Sequence, residues 1–174
     1  MSIKNILRSL TTSFFSLLIV AAAAQTVLPP VMEWHGKSES LIAKTNDPWI
    51  TPSEKSDFKT TPSYNETVNW FKKLTAASPL LAMVSIGKSI EGREIYMIIA
   101  STDMDKGSFS LKTSDKPLML AQAGIHSGEI DGKDAGMMLL RDIAFGKKKE
   151  LLMHVNFLFI PILSVDGHEN SSAF

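Results

Sequence analysis

His126 and Glu129 stand three residues apart, directly after a long apolar run. An imidazole nitrogen and a carboxylate at that spacing can converge on one cation. The same spacing suits a surface histidine followed by an acid at a helix start, where the dipole favours negative charge. Position therefore carries the argument, because polar residues that close a buried strand are placed for function more often than for stability. A second candidate group, Ser164-Val165-Asp166-Gly167-His168-Glu169, follows another apolar run, and its Asp-Gly pair suits a turn. His154 and His168 read as solvated histidines at a strand edge and in a turn. Glu91, Glu94 and Glu169 are further carboxylates that nothing in the sequence places beside the His126 pair. With no cysteine, a thiol nucleophile and a thiolate metal site are both excluded.

These residues need elements to carry them. Ser63 with Glu66 three residues on has the form of a capping box, and Val68, Phe71, Leu74 and Thr75 share one helical face, which predicts a helix from Asn65 to Ala77 ended by Pro79. Two β-type runs follow, Leu81 to Ile86 and Glu94 to Thr102. Ser89-Ile90-Glu91-Gly92-Arg93 joins them into a hairpin, with Gly92 free to take a positive φ. After a polar loop holding Asp103, Asp105 and Gly107, the near-continuous apolar run Pro117 to Ile125 has the composition of a strand buried on both faces, at the centre of a sheet. Beyond Glu129 the period changes to a helical one, with Ala135, Met138, Leu139 and Ile143 in register, Gly146 as a stop and Lys147 to Lys149 suited to the helix end. Met137 and Met138 read as core filler. A fourth strand runs from Val155 to Leu163. This order predicts an α/β fold with a mixed β-sheet flanked by helices, whose His126 and Asp166 loops both lie at the C-terminal strand ends, where such sheets open.

Three stretches together carry a family resemblance. Gly124-Ile125-His126-Ser127-Gly128-Glu129-Ile130-Asp131-Gly132-Lys133-Asp134-Ala135-Gly136 resembles the first zinc-ligand segment of the M14 zinc carboxypeptidases. Ser85-Ile86-Gly87-Lys88-Ser89-Ile90-Glu91-Gly92-Arg93 is similar to the hairpin that precedes that segment, and Val165-Asp166-Gly167 to the end of its Asn-Pro-Asp-Gly stretch. The resemblance implies that His126 and Glu129 bind Zn2+, and that Asp166 is the carboxylate that accepts a hydrogen bond from His126 and fixes its tautomer. It implies hydrolysis of peptide bonds at the C-terminus of a peptide or protein by a zinc-activated water. Ser164 and Val165 depart from the usual Asn and Pro. The family's second histidine ligand, its general-base glutamate and the arginine and asparagine that hold the substrate carboxylate lie further on than Phe174. The fold is thus expected to be zinc-carboxypeptidase-like and incomplete at the C-terminus, with catalytic and substrate-binding residues unassigned. An unpaired sheet edge and poor stability are expected with it. Two other readings stay open: an inactive remnant or binding module, and a related zinc amidohydrolase acting on acylated amino acids or cell-wall peptides.

Bulk composition sets outer limits. Of 174 residues 44% are hydrophobic, enough for one domain with a core, and 18 basic residues balance 18 acidic ones, leaving no field to draw in nucleic acid. Lys4 and Arg8 ahead of an apolar run from Phe14 to Ala24 form a secretory signal, residues 1–24, with cleavage next to Gln25. That run is short for a bilayer span, so no stable membrane anchor is expected after cleavage, and an exported product, periplasmic or extracellular, is expected. Residues 25–62, broken by Pro29, Pro30, Pro48, Pro52 and Pro62, read as an extended arm whose Trp34 and Trp49 suggest contact with the body, residues 63–174.

Overall fold

The computed structural model describes residues 35–105, 108–109 and 114–171. The expected signal over residues 1–24, its cleavage site, Pro29, Pro30, Trp34 and Gly107 lie outside them. Residues 35–39 belong to one compact unit and residues from Ser40 on to another, and everything described below lies within the second. Among the described residues no helix is long and apolar enough to cross a membrane.

The second unit begins with a proline-punctuated segment that carries one short helix, α1 (Pro52–Lys55). Thr51 caps it in a reciprocal box with Glu54. The first long helix, α2 (Tyr64–Ala77), starts where the sequence signals it: the Ser63 side chain accepts from the Glu66 amide and the Glu66 side chain accepts from the Ser63 amide. It buries Thr67, Val68, Phe71 and Leu74; three of the four expected stripe positions are buried, and Thr75 is half-buried. β1 (Leu81–Lys88) and β2 (Glu94–Ala100) pair antiparallel, with Gly92 at φ +83° in the connecting turn. A two-stranded ribbon, β3 (Met104–Asp105) and β4 (Ser108–Phe109), interrupts the path to β5 (Leu118–Gln122). α3 (Asp131–Ala144) then crosses over to β6 (Asn156–Ile160), which lies parallel to β5 and antiparallel to β2, and α4 (Val165–Glu169) ends the described chain.

The sheet order is β1-β2-β6-β5, a mixed sheet as the α/β reading requires. Phe157 and Phe159 of β6 share a face with Ile98 and Ala100 of β2, and against it pack Phe71 and Leu74 of α2 and Met137, Leu140 and Ile143 of α3. Each large side chain fully buried there contributes roughly 1.5–3 kcal/mol of transfer free energy, and truncating Phe71, the largest of them in α2 and in ring contact with Phe159, removes the most packing.

Two sequence expectations are corrected. Among the described residues the run after Pro117 is not the sheet centre: β5 stands at the edge of their four-stranded sheet, and Leu118, Met119 and Leu120 are 52%, 56% and 51% exposed. Its composition is that of a central strand, but among the described residues it has a neighbour only on the β6 side. The central, fully buried strand is β6. The inward stripe of α3 also differs, being built on Lys133, Gly136, Met137, Leu140 and Ile143, while Ala135 is exposed and Met138 only half-buried. Buried Lys133, Arg141 and Asp142 displace the apolar periodicity, because paired polar groups occupy positions that pattern counting assigns to solvent.

Candidate metal site

The His126 loop hangs from the C-terminal ends of the two parallel strands. The Ala123 amide donates to the Ile160 carbonyl, and the Leu163 and Ser164 amides donate back to the Ala123 and Gly124 carbonyls at 3.0 and 2.8 Å, so the ladder runs past both strands. At Gly124, φ is +56° and an added Cβ would stand 3.2 Å from the Ile162 Cα, a backbone atom that cannot swing aside. The loop then tightens, with the Glu129 amide donating to the His126 carbonyl. His126 Nδ1 and Glu129 Oε1 are brought to 3.0 Å, and both side chains are open to solvent, 76% and 65% exposed.

The Asp166 turn lies alongside: Ser127 Oγ donates to the Gly167 carbonyl at 2.7 Å. Asp166 is held by the hairpin between β1 and β2. Its Oδ1 accepts from Ser89 Oγ at 2.8 Å and Arg93 Nη1 at 2.6 Å, and its Oδ2 accepts from the Glu91 amide at 3.1 Å. Partial burial works to raise the Asp166 pKa, but Arg93, Ser89 and the Glu91 amide together hold the carboxyl below its usual range. Arg93 also bonds Glu91, and Asn170 Nδ2 donates to the other Glu91 oxygen. No hydrogen bond joins Asp166 to His126 among the described residues; three of the roughly four acceptor positions of its carboxylate are taken by the hairpin.

Other candidates fall outside this group. His154 is exposed, as expected of an edge histidine. His168 is not the solvated turn histidine that its sequence context suggests: its side chain is 9% exposed and bonded on both ring nitrogens. Glu94 is taken up by Lys88 and Ser85, and Glu169 by His168 and the Tyr64 amide. In the sequence the Ser89 to Arg93 turn reads only as a hairpin. Its function as the cradle of Asp166 has no local signal, since donor and acceptor are 73 to 77 residues apart.

A mixed sheet whose parallel strand ends present an exposed imidazole and carboxylate, with a clamped aspartate turn beside them, defines a class. A zinc carboxypeptidase family model matches residues 67–173, and the chain belongs to that family. Carboxypeptidase B2 of Bos taurus is 26% identical over 139 residues, covering 75% of this chain and 31% of that protein. Among solved structures, carboxypeptidase A from Helicoverpa armigera is similar with a TM-score of 0.54 at 20% identity, covering 63% of this chain and 26% of the other. Bovine thrombin-activatable fibrinolysis inhibitor, solved with tick carboxypeptidase inhibitor, is similar with a TM-score of 0.51 at 24% identity, covering 63% and 33%. At those identities the likeness establishes the fold, and the chain spans only 26% to 33% of the length of these proteins.

Proposed function

We propose that this chain is the N-terminal part of a secreted zinc-dependent metallocarboxypeptidase acting on the C-terminus of a peptide or protein. It supplies two zinc ligands, His126 and Glu129. The observation that carries this reading is the 3.0 Å approach of His126 Nδ1 to Glu129 Oε1 at the open end of the parallel strands, within a segment that matches the family model. One imidazole nitrogen and one carboxylate oxygen, both exposed and bonded to little else, suit a borderline-soft dication. They fit as part of its donor set, the remaining ligand and the general base lying in the portion of the relatives' length that this chain does not cover.

When bound, zinc polarises the scissile carbonyl and lowers the pKa of a water to near neutrality. The chain's own residues orient the site. Because Nδ1 is the nitrogen facing Glu129, Nε2–H is left for a carboxylate, and the free acceptor position on Asp166 is the proposed partner. The Arg93 and Ser89 bonds keep that carboxylate ionised and still. Export follows the signal reading, and N-terminal sequencing of the secreted product should begin at Gln25.

Zinc titration of the purified 174-residue chain, against His126→Ala and Glu129→Ala, tests the assignment. Weak zinc binding that both substitutions abolish, without turnover of a blocked dipeptide, is expected. Zinc binding that survives His126→Ala would overturn the ligand assignment, and tight stoichiometric zinc with turnover would overturn the reading of a partial site.

A further inference from the structure

Lys133 is fully buried in the first turn of α3, four residues after Glu129. Burying an ammonium costs several kcal/mol, as an order of magnitude, unless partners surround it. Here its Nζ donates to the Pro62 carbonyl just before the cap of α2, lies 3.1 Å from His168 Nε2 and stands 3.7 Å from Asp134 Oδ1. An ammonium has only donors, so Nε2 must accept, which leaves the imidazole proton on Nδ1. Nδ1 in turn lies 3.0 Å from Glu169 Oε1, the oxygen that accepts the Tyr64 amide at 2.8 Å. The neighbouring Asp134 accepts from Ser53 Oγ and Thr61 Oγ1. Three elements are thereby tied at one point: the start of α2, the first turn of α3 and the α4 turn.

Burial lowers the Lys133 pKa, against the raising influence of Asp134, Glu169 and Glu66. A methionine there would fill similar space at no electrostatic cost, and buried ion networks add little net stability over apolar packing. What the lysine adds is direction, since it fixes the Pro62 carbonyl and one His168 tautomer against the first turn of α3. Both ends of the site hang from this point. Glu129 leads into the turn that bears Lys133, Asp166 is two residues before His168, and Ser127 and Gly167 are bonded to each other.

We infer that Lys133 is a positioning residue of the candidate metal site, holding the Asp166 turn through His168 against the helix that begins just after Glu129. The inference rests on the metal reading of His126 and Glu129. Lys133→Met removes the donors and keeps most of the volume. In amide hydrogen exchange of the 174-residue chain it should speed exchange at residues 127–130 and 167–169 by about tenfold or more, leaving β1, β2 and β6 as protected as before. Zinc affinity, measured by competition with a chromophoric chelator, should fall about tenfold, the size seen when groups behind a ligand are lost. A folded variant with unchanged loop exchange or unchanged zinc affinity overturns the inference. Should Lys133→Met fail to fold, His168→Gln and His168→Leu give the same contrast. Gln keeps an acceptor for Lys133 and should match the parent, Leu should loosen the loops, and equal behaviour of the two overturns the inference. Loosened loops in a chain whose parent binds no zinc would overturn the metal assignment alone, because exchange reports the pinning without metal.

Discussion

The two ends of α3 face ionic groups built in opposite ways. Near its C-terminal end, Arg141 and Glu54 have side chains at most 4% exposed and a partner on every side-chain nitrogen and oxygen. Arg141 Nη1 donates to both Glu54 oxygens, Nε donates to Asp142 and Nη2 to the Leu41 carbonyl, while Glu54 also receives the Ala43 and Thr51 amides and the Thr51 hydroxyl. Ahead of its N-terminal end, His126 and Glu129 hold little but each other and stand in solvent. The first group has been closed by the fold and can do nothing except hold residues 41–54 to the helix. The second has been left open, and an open pair of donors is what a ligand requires.

The sharpest way to break that contrast is to open the closed end. Arg141→Met leaves the Glu54 carboxylate buried without its counter-ion, and the cost is expected at about 3–5 kcal/mol by urea unfolding. Adding Glu54→Met should recover part of that loss, because Glu54 is then no longer a stranded charge while buried Asp142 still lacks Arg141 and the Ala43 and Thr51 amides lose their acceptor. If Arg141→Met alone unfolds like the parent, the closed group is not structural.

Acid tests the same groups more gently. For Glu54, burial works to raise the pKa, but Arg141 and the Ala43 and Thr51 bonds lower it below its usual 4.5. The unfolded chain then binds the proton first, so this contribution is present above pH 4.5 and lost as pH falls through the folded value. His168 is also lowered, by burial and by Lys133, from its usual 6.5. Its share is present above pH 6.5 and drains away below that. Stability measured from pH 7.5 downward should therefore fall in two steps. His168→Leu should remove the upper step, and the Arg141→Met, Glu54→Met pair should shrink the lower, to which the lowered Asp166 and Glu169 also contribute; one undivided acid transition in all three proteins would contradict the separation.

How far the sequence shows this can be followed residue by residue. Capping at Ser63 and Glu66, the hairpin turn at Gly92 and the change of period after Glu129 are local signals, and each lies where the structure has it. The meeting of the His126 and Glu129 side chains is legible for the same reason, both lying within four residues. The Asp166 cradle and the Lys133 knot are not, since they join positions 35 to 105 residues apart and use serine, lysine and backbone groups that carry no pattern. β5 misled in another way: apolar composition reports what a strand is suited to, not which neighbours it has. Leu120→Lys sharpens this point, because half-exposed Leu120 should tolerate the charge at a cost of no more than about 1 kcal/mol. Self-association of the chain, followed by sedimentation, should decrease, since charge on an edge strand blocks further pairing.

The smallest expected effect sits at the open end. His126→Ala, in metal-free protein, should change unfolding free energy by no more than about 0.5 kcal/mol, because an exposed side chain away from caps and core contributes little. The pair with Glu129 is solvated on both sides, and exposed ion pairs are worth little to a fold. Set beside Arg141→Met, this gives two ionic groups at the two ends of one helix that differ about tenfold in what their loss costs stability. Zinc then narrows that gap. Added to the parent it should stabilise by mass action, and added to His126→Ala it should not. A metal-free His126→Ala that unfolds much more easily than the parent would show that the imidazole supports the loop itself, and the open end would then belong with the closed one.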